Sequence, residues 1–259
     1  MTWSESRFEL EIDLLVLLAL GLVGVLAGFV DAIAGGGGLI ALPALLSAGL
    51  PPIAAFATNK VQSVVGTAMA ASTYWRGGFI SLPRLLPAIA ATFVGSWLGA
   101  LVVKSIDVTI LNYAVPVSLI VIAGYFMFAP RLSDADRHAR LDFARFVPLM
   151  GFTIGFYDGI FGPGTGSFLT MGFVTLFGLG LTRAAGNTKV LNLMSNLGAL
   201  ALFIPAGDVV WPAAIAMALG QLAGGYLGAV TGIRFGARLI RPLVVVVSVI
   251  LALRLLFFG

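Results

Sequence analysis

The peptide Gly28-Phe-Val-Asp-Ala-Ile33 returns 127 residues later as Gly155-Phe-Tyr-Asp-Gly-Ile160. Each copy runs into a glycine cluster, Gly35 to Gly38 in the first and Gly162-Pro-Gly-Thr-Gly166 in the second. Thr58-Asn-Lys60 then answers Asn187-Thr-Lys189, and Gly95-Ser-Trp-Leu-Gly-Ala100 answers Gly224-Gly-Tyr-Leu-Gly-Ala229, both at an offset of 129. Ordered matches at nearly one spacing are the mark of an internal duplication. The expected organisation is two related units, residues 1–129 and 145–259, joined by a cytoplasmic linker over 130–144.

Each unit divides into five apolar segments. In the first they lie at about 12–34, 39–49, 53–75, 85–104 and 109–129. In the second they lie at about 145–161, 166–180, 186–205, 211–232 and 238–258. Most approach the roughly 20 helical residues that cross about 30 Å of hydrocarbon. The second segment of each unit is short and follows a glycine cluster, which reads as a short tilted helix or a broken, re-entrant one. Composition agrees with burial in lipid. Hydrophobic residues make up 59% and charged residues 10% of the chain, where a soluble domain carries roughly 25% charged.

The fold class expected is therefore an all-α polytopic membrane protein with about ten segments. The opening residues carry Glu5, Glu9, Glu11 and Asp13 against Arg7, so the basic start of a signal peptide is missing and the first segment reads as a retained span. Placing the N-terminus outside puts Arg76, Arg84, Arg131, Arg137, Arg140, Arg145, Arg183, Arg234, Arg238 and Arg241 on the cytoplasmic side. Only Arg7, Lys104 and Arg254 then face outward. An eight-span alternative, with the short segments dipping in and out, breaks the positive-inside rule in the second unit. Ten spans are preferred, in a bacterial inner membrane with both termini periplasmic. Because five is odd, the second unit enters from the opposite side, giving two inverted repeats.

Cysteine is absent and His138 is the single histidine, set in the charged linker. Disulfides, thiolate chemistry and a histidine metal cluster are thereby excluded, and no metal or cofactor is expected. The formal charge of +4 reads as an orientation signal, not a nucleic-acid surface.

Chemistry concentrates on four ionisable residues inside apolar segments: Asp31, Lys60, Asp158 and Lys189. A charge at the bilayer centre costs about 2.5–3.5 kcal/mol on insertion scales, so each needs a partner or an interior cavity. Three readings stand. The acids and bases fasten helices as buried pairs; the lysines neutralise a transported anion while Asp31 or Asp158 exchanges a proton; or the lysines snorkel to an interface.

The glycine clusters favour an anion. Gly35, Gly36, Gly37 and Gly38 in one unit, and Gly164, Thr165 and Gly166 in the other, precede short helices whose free amides attract negative charge. Polar residues follow on the next segments: Asn59, Lys60, Gln62 and Ser63, then Asn187, Lys189, Asn192, Ser195 and Asn196. Several sit three or four apart and share a helical face, as interhelical glue or as the lining of a path. Amide donors along it suit oxyanions, which offer only acceptors. The Gly95/Gly99 and Gly224/Gly228 spacings read as helix-packing contacts.

At these residues the chain resembles the TauE/SafE family, also called the 4-toluene sulfonate uptake permeases. The resemblance rests on Gly28 to Gly38, Gly49-Leu-Pro-Pro52, Ala57-Thr-Asn-Lys60, Gly155 to Gly166, and Thr188-Lys189 with Asn192 and Ser195-Asn196. It covers nearly the whole chain. It implies import or export of small sulfur-containing anions such as sulfite, sulfoacetate or sulfonates, with the bilayer and the solute as partners.

Two other classes fit less well. An intramembrane aspartyl protease also needs two embedded aspartates, but Gly28-Phe-Val-Asp31 is not Gly-x-Gly-Asp and each unit brings a lysine that a dyad does not use. An enzyme is not expected. A non-transporting membrane scaffold is the other alternative, and flux by the lone protein would exclude it.

Overall fold

The computed structural model describes residues 13–107, 109, 110, 117 and 135–236. Among the described residues there are eight helices and no strand. The first unit forms α1 (Leu14–Ala34), α2 (Gly37–Ser47), α3 (Pro52–Arg76) and α4 (Leu82–Ser105). The second forms α5 (Phe143–Ile160), α6 (Thr165–Thr175), α7 (Leu181–Phe203) and α8 (Trp211–Phe235). The expected fifth segment of each unit, 109–129 and 238–258, lies outside the described residues but for 109, 110 and 117.

Among the described residues three helices, α1, α4 and α8, are long and apolar enough to cross a membrane. The radial arrangement is the reverse of a soluble protein. Leu14, Leu15, Leu18, Leu22 and Leu26 on α1, and Ile215, Leu219 and Leu227 on α8, are more than half exposed. Asn59, Lys60, Gln62, Asp158, Asn187, Lys189, Asn192 and Asn196 are buried. Apolar side chains face outward and hydrogen-bonding groups face each other, which suits lipid as the surrounding solvent.

The two units are interleaved. α1 packs along α8, and α4 packs along α5, so the first helix of each unit lies against the last described helix of the other. α3 touches both α7 and α8, and α7 also meets α4. Small residues make these crossings close, as their spacing in the sequence predicts. A Cβ added at Gly224 would sit 2.1 Å from the Val25 carbonyl oxygen, and one at Gly99 would sit 2.1 Å from that of Phe156.

The short segments begin slightly earlier and end earlier than expected, at 37–47 and 165–175 in place of 39–49 and 166–180. The helix restarts inside each glycine cluster, because the left-handed turn is complete by Gly35 or Gly164 (φ 77° and 81°). Eleven residues at 1.5 Å each make a rod about half as long as the hydrocarbon layer is thick. Both rods start at turns buried within the protein.

The two ends of α3 touch different parts of the second unit. Near its start, the Val210 amide donates to Thr58 Oγ1 at 3.1 Å, and close by in the chain Lys104 at the end of α4 pairs with Asp208 at 2.7 Å. Beyond its other end, the Ser81 amide donates to Asn187 Oδ1 at 3.4 Å. The linker is exposed over 135–140 yet docked beside that second end. Asp136 pairs with Arg183 at 2.7 Å, and the Arg137 amide donates to the Gly178 carbonyl at 2.7 Å. His138 is exposed.

Candidate functional site

Two broken-helix turns meet at the centre. α1 stops because Gly35 adopts a left-handed conformation and returns its N–H to the Asp31 carbonyl at 2.8 Å. Gly36 then caps α2. In the second unit Gly162 and Gly164 turn the chain with φ of 91° and 81°, and the Tyr157 hydroxyl donates to the Pro163 carbonyl at 2.6 Å. The turns press backbone against backbone. A Cβ on Gly35 would lie 2.2 Å from the carbonyl carbon of Gly166, and one on Gly166 would lie 2.6 Å from Gly35 Cα. The Ser167 hydroxyl donates to the Ala34 carbonyl at 2.5 Å and fastens the crossing. For Gly35 and Gly166 the missing Cβ therefore serves contact between the two units.

The four charges pair between units, never within one. Lys60 of α3 bonds Asp158 of α5 at 2.7 Å, and Lys189 of α7 bonds Asp31 of α1 at 2.8 Å. Both lysines are almost completely buried, 2% and 1% exposed, which rules out snorkelling.

The pairs are held unequally. Asp158 Oδ1 accepts from the Thr165 hydroxyl at 2.7 Å, and Oδ2 accepts from Lys60 and from the Ser195 hydroxyl at 2.6 Å. Asp31 Oδ2 accepts from Lys189, while among the described residues its Oδ1 has only the Gly37 amide at a long 3.4 Å. Lys189 also donates to the Asp31 backbone carbonyl. The Asp31 side chain is 13% exposed against 3% for Asp158. An ionised carboxylate in low dielectric is stabilised by each charge-assisted hydrogen bond it accepts, so Asp158 is the better-satisfied acid.

Between the pairs lies a polar cavity with about 20 Å³ open to water centres, room for about one water molecule. Six residues of the first unit line it: Asp31, Gly35, Gly38, Asn59, Lys60 and Ser63. Six of the second complete it: Asp158, Gly162, Thr165, Gly166, Asn192 and Asn196. Of the residues expected to bind solute, Gly36, Gly37, Gln62, Gly164 and Lys189 stand behind this lining. Gly37 and Lys189 are nonetheless tied to it through the Asp31 carboxylate. Gln62 donates to Asn59 Oδ1 at 2.7 Å, which leaves the Asn59 amide donor for the cavity. The hydroxyls on Asp158 were not singled out as its partners by sequence reasoning, though Thr165 and Ser195 both stand in the marker segments. Their signal was there: the corresponding first-unit positions are Gly38 and Gly66.

The family model described as "Sulfite exporter TauE/SafE" matches residues 20–255. The chain belongs to the TauE/SafE family. Relatives agree along almost its whole length. A probable membrane transporter protein from Sinorhizobium sp., ORF9, is 44% identical over 89% of this chain and 88% of its own. One from Haemophilus influenzae is 42% identical over 96% and 97%. YfcA of Escherichia coli K12, also named a probable membrane transporter protein, is 42% identical over 94% and 90%. No solved structure matches. This TauE/SafE chain is thus a multi-pass membrane protein of a transporter family. Its central cavity is polar, charge-balanced and built equally from both units.

Proposed function

We propose that this chain is a secondary transporter that carries a small sulfur-containing anion, such as sulfite or a sulfonate, between its two units by alternating access. The observation that carries the reading is the pair of buried lysines, each matched by a carboxylate of the other unit, around a shared polar cavity. A site with zero net charge avoids the cost of an isolated ion in lipid. Lysine ammonium groups and the amides of Asn59 and Asn192 supply donors for an oxyanion. A proton on Asp31 or Asp158 couples the movement to the membrane gradient.

The units are inverted repeats of five spans each, residues 1–129 and 145–259, with the linker over 130–144 and the second span of each unit a short helix that starts at a broken turn. Support comes from corresponding loops. The chain after α2 starts α3 near Thr58, beside Val210, whereas the chain after α6 lies with the linker and the far end of α3. Equivalent loops at opposite ends of α3 are what inversion requires. The Asp136–Arg183 contact further favours ten spans in a bacterial inner membrane, because eight spans would separate Arg183 from the linker by a bilayer.

Purified protein in proteoliposomes, supplied with labelled sulfite and sulfonates, tests the reading. Flux above protein-free vesicles, lost in Lys60→Ala and altered in Asp31→Asn, is expected. No flux of any sulfur oxyanion, with folded protein in the bilayer, would return the chain to a scaffold role. Flux unchanged in both variants would remove these side chains from the mechanism.

A further inference from the structure

The two ion pairs occupy corresponding positions, yet their surroundings differ in a way that assigns them different jobs. Asp158 is clasped by Thr165, Ser195 and Lys60, all buried. The first unit has glycine at both hydroxyl positions, Gly38 and Gly66, so Asp31 has no hydroxyl partner. Among the described residues its carboxylate accepts hydrogen bonds from two groups, the Lys189 ammonium and the Gly37 amide at the start of α2. A buried ammonium and a helix N-terminus are what a bound oxyanion needs.

We infer that the Asp31 carboxylate is a displaceable stand-in for the transported anion, while Asp158–Lys60 stays closed as a fixed pin. This rests on the transport reading above. An incoming anion takes Lys189 Nζ and the Gly37 amide, and the released Asp31 binds one proton from the cavity. Charge balances at every stage. Lysine and aspartate sum to zero before; lysine, anion and neutral acid sum to zero after. Lys189 keeps its bond to the Asp31 carbonyl throughout, so it is never left without an acceptor. Lys60 makes no side-chain bond but that to Asp158 among the described residues, and losing it would strand a buried charge.

Lys60 of α3 and Asp158 of α5 share the cavity of Asp31, and Lys189 of α7 is its partner. The buried Tyr74 of α3 donates to the Ala32 carbonyl at 3.1 Å, and Tyr157 of α5 donates to the Pro163 carbonyl of the facing turn. α2 and α6 carry no titratable residue, and Tyr226 and Arg234 of α8 are exposed. Asp31 is thus the one carboxylate at the cavity that can change partners without breaking the clasp.

Calorimetric titration of the purified full chain in lipid nanodiscs tests this, with 4-toluenesulfonate as probe because it takes up no proton itself. Run in buffers of unlike ionisation heat, native protein should take up about one proton per anion bound. Asp31→Asn, with the competitor gone, should bind at least about fivefold tighter and take up none. Weaker binding in Asp31→Asn, or proton uptake retained there, overturns the inference. If no sulfur oxyanion binds native protein, the transport reading fails, and an anion-free arm still decides the asymmetry. Thermal unfolding without anion should show Asp158→Asn losing clearly more stability than Asp31→Asn; equal losses or the reverse order overturn it. Should Asp158→Asn not fold, Thr165→Ala with Ser195→Ala serves instead. That pair should lower the unfolding temperature of the native chain, and no loss counts against the clasp.

Discussion

The Asp158–Lys60 and Asp31–Lys189 pairs occupy corresponding positions of the repeated motifs, and they differ in what surrounds them. One is sealed, with two hydroxyls on the carboxylate. The other is partly open, with a single long amide contact. Duplication gives each unit an acid and a base; exchange between units then gives each acid the other unit's base. What differs is how much protein must move to separate them.

The largest effect should come from breaking the sealed pair. Asp158→Asn leaves Lys60 buried and unpaired, and thermal unfolding in detergent should report a loss of about 3–5 kcal/mol. Asp31→Asn should lose roughly half as much, because Lys189 keeps a carbonyl. Replacing both members, Lys60→Met with Asp158→Leu, should restore most of the stability. Equal losses for the two aspartates would erase the comparison.

The crossing of the two glycine turns comes next. Gly35→Ala meets the Gly166 backbone in a left-handed conformation and should cost about 2–4 kcal/mol. Gly36→Ala has nothing nearer than 3.6 Å and should be tolerated. The same unfolding assay separates contact between units from mere flexibility of the glycine run. Ser195→Ala, which strips one hydroxyl from Asp158, should cost about 2 kcal/mol, within the usual range for hydrogen bonds to charge. The smallest effect belongs to the docked linker. The Asp136–Arg183 pair is about half exposed at both partners, so Arg183→Ala should change stability by under about 1 kcal/mol.

Much of this was legible in the sequence. The duplication, the broken helices and the four embedded charges follow from repeated motifs and from the cost of polar groups in lipid. The polar faces of α3 and α7 followed from helical spacing. What did not follow was partnership. Nothing in an offset of 127 or 129 says that Lys60 reaches Asp158 in preference to Asp31, since pairing depends on how the units interleave. Nor does a run of four glycines reveal that Gly35 presses on Gly166 while Gly36 has room for a methyl group. The docking of the linker did not follow either, because its backbone hydrogen bonds to Leu176 and Gly178 leave no trace in composition.

Accessibility of the shared cavity to both aqueous sides probes alternating access most directly. The chain has no cysteine, so Ser63→Cys, on the cavity wall, reports alone. In oriented vesicles a membrane-impermeant thiol reagent should reach that position from either side, and sulfite or a sulfonate should slow the labelling from both. Labelling from one side only, or from neither, whatever anion is present, would contradict passage between the two units.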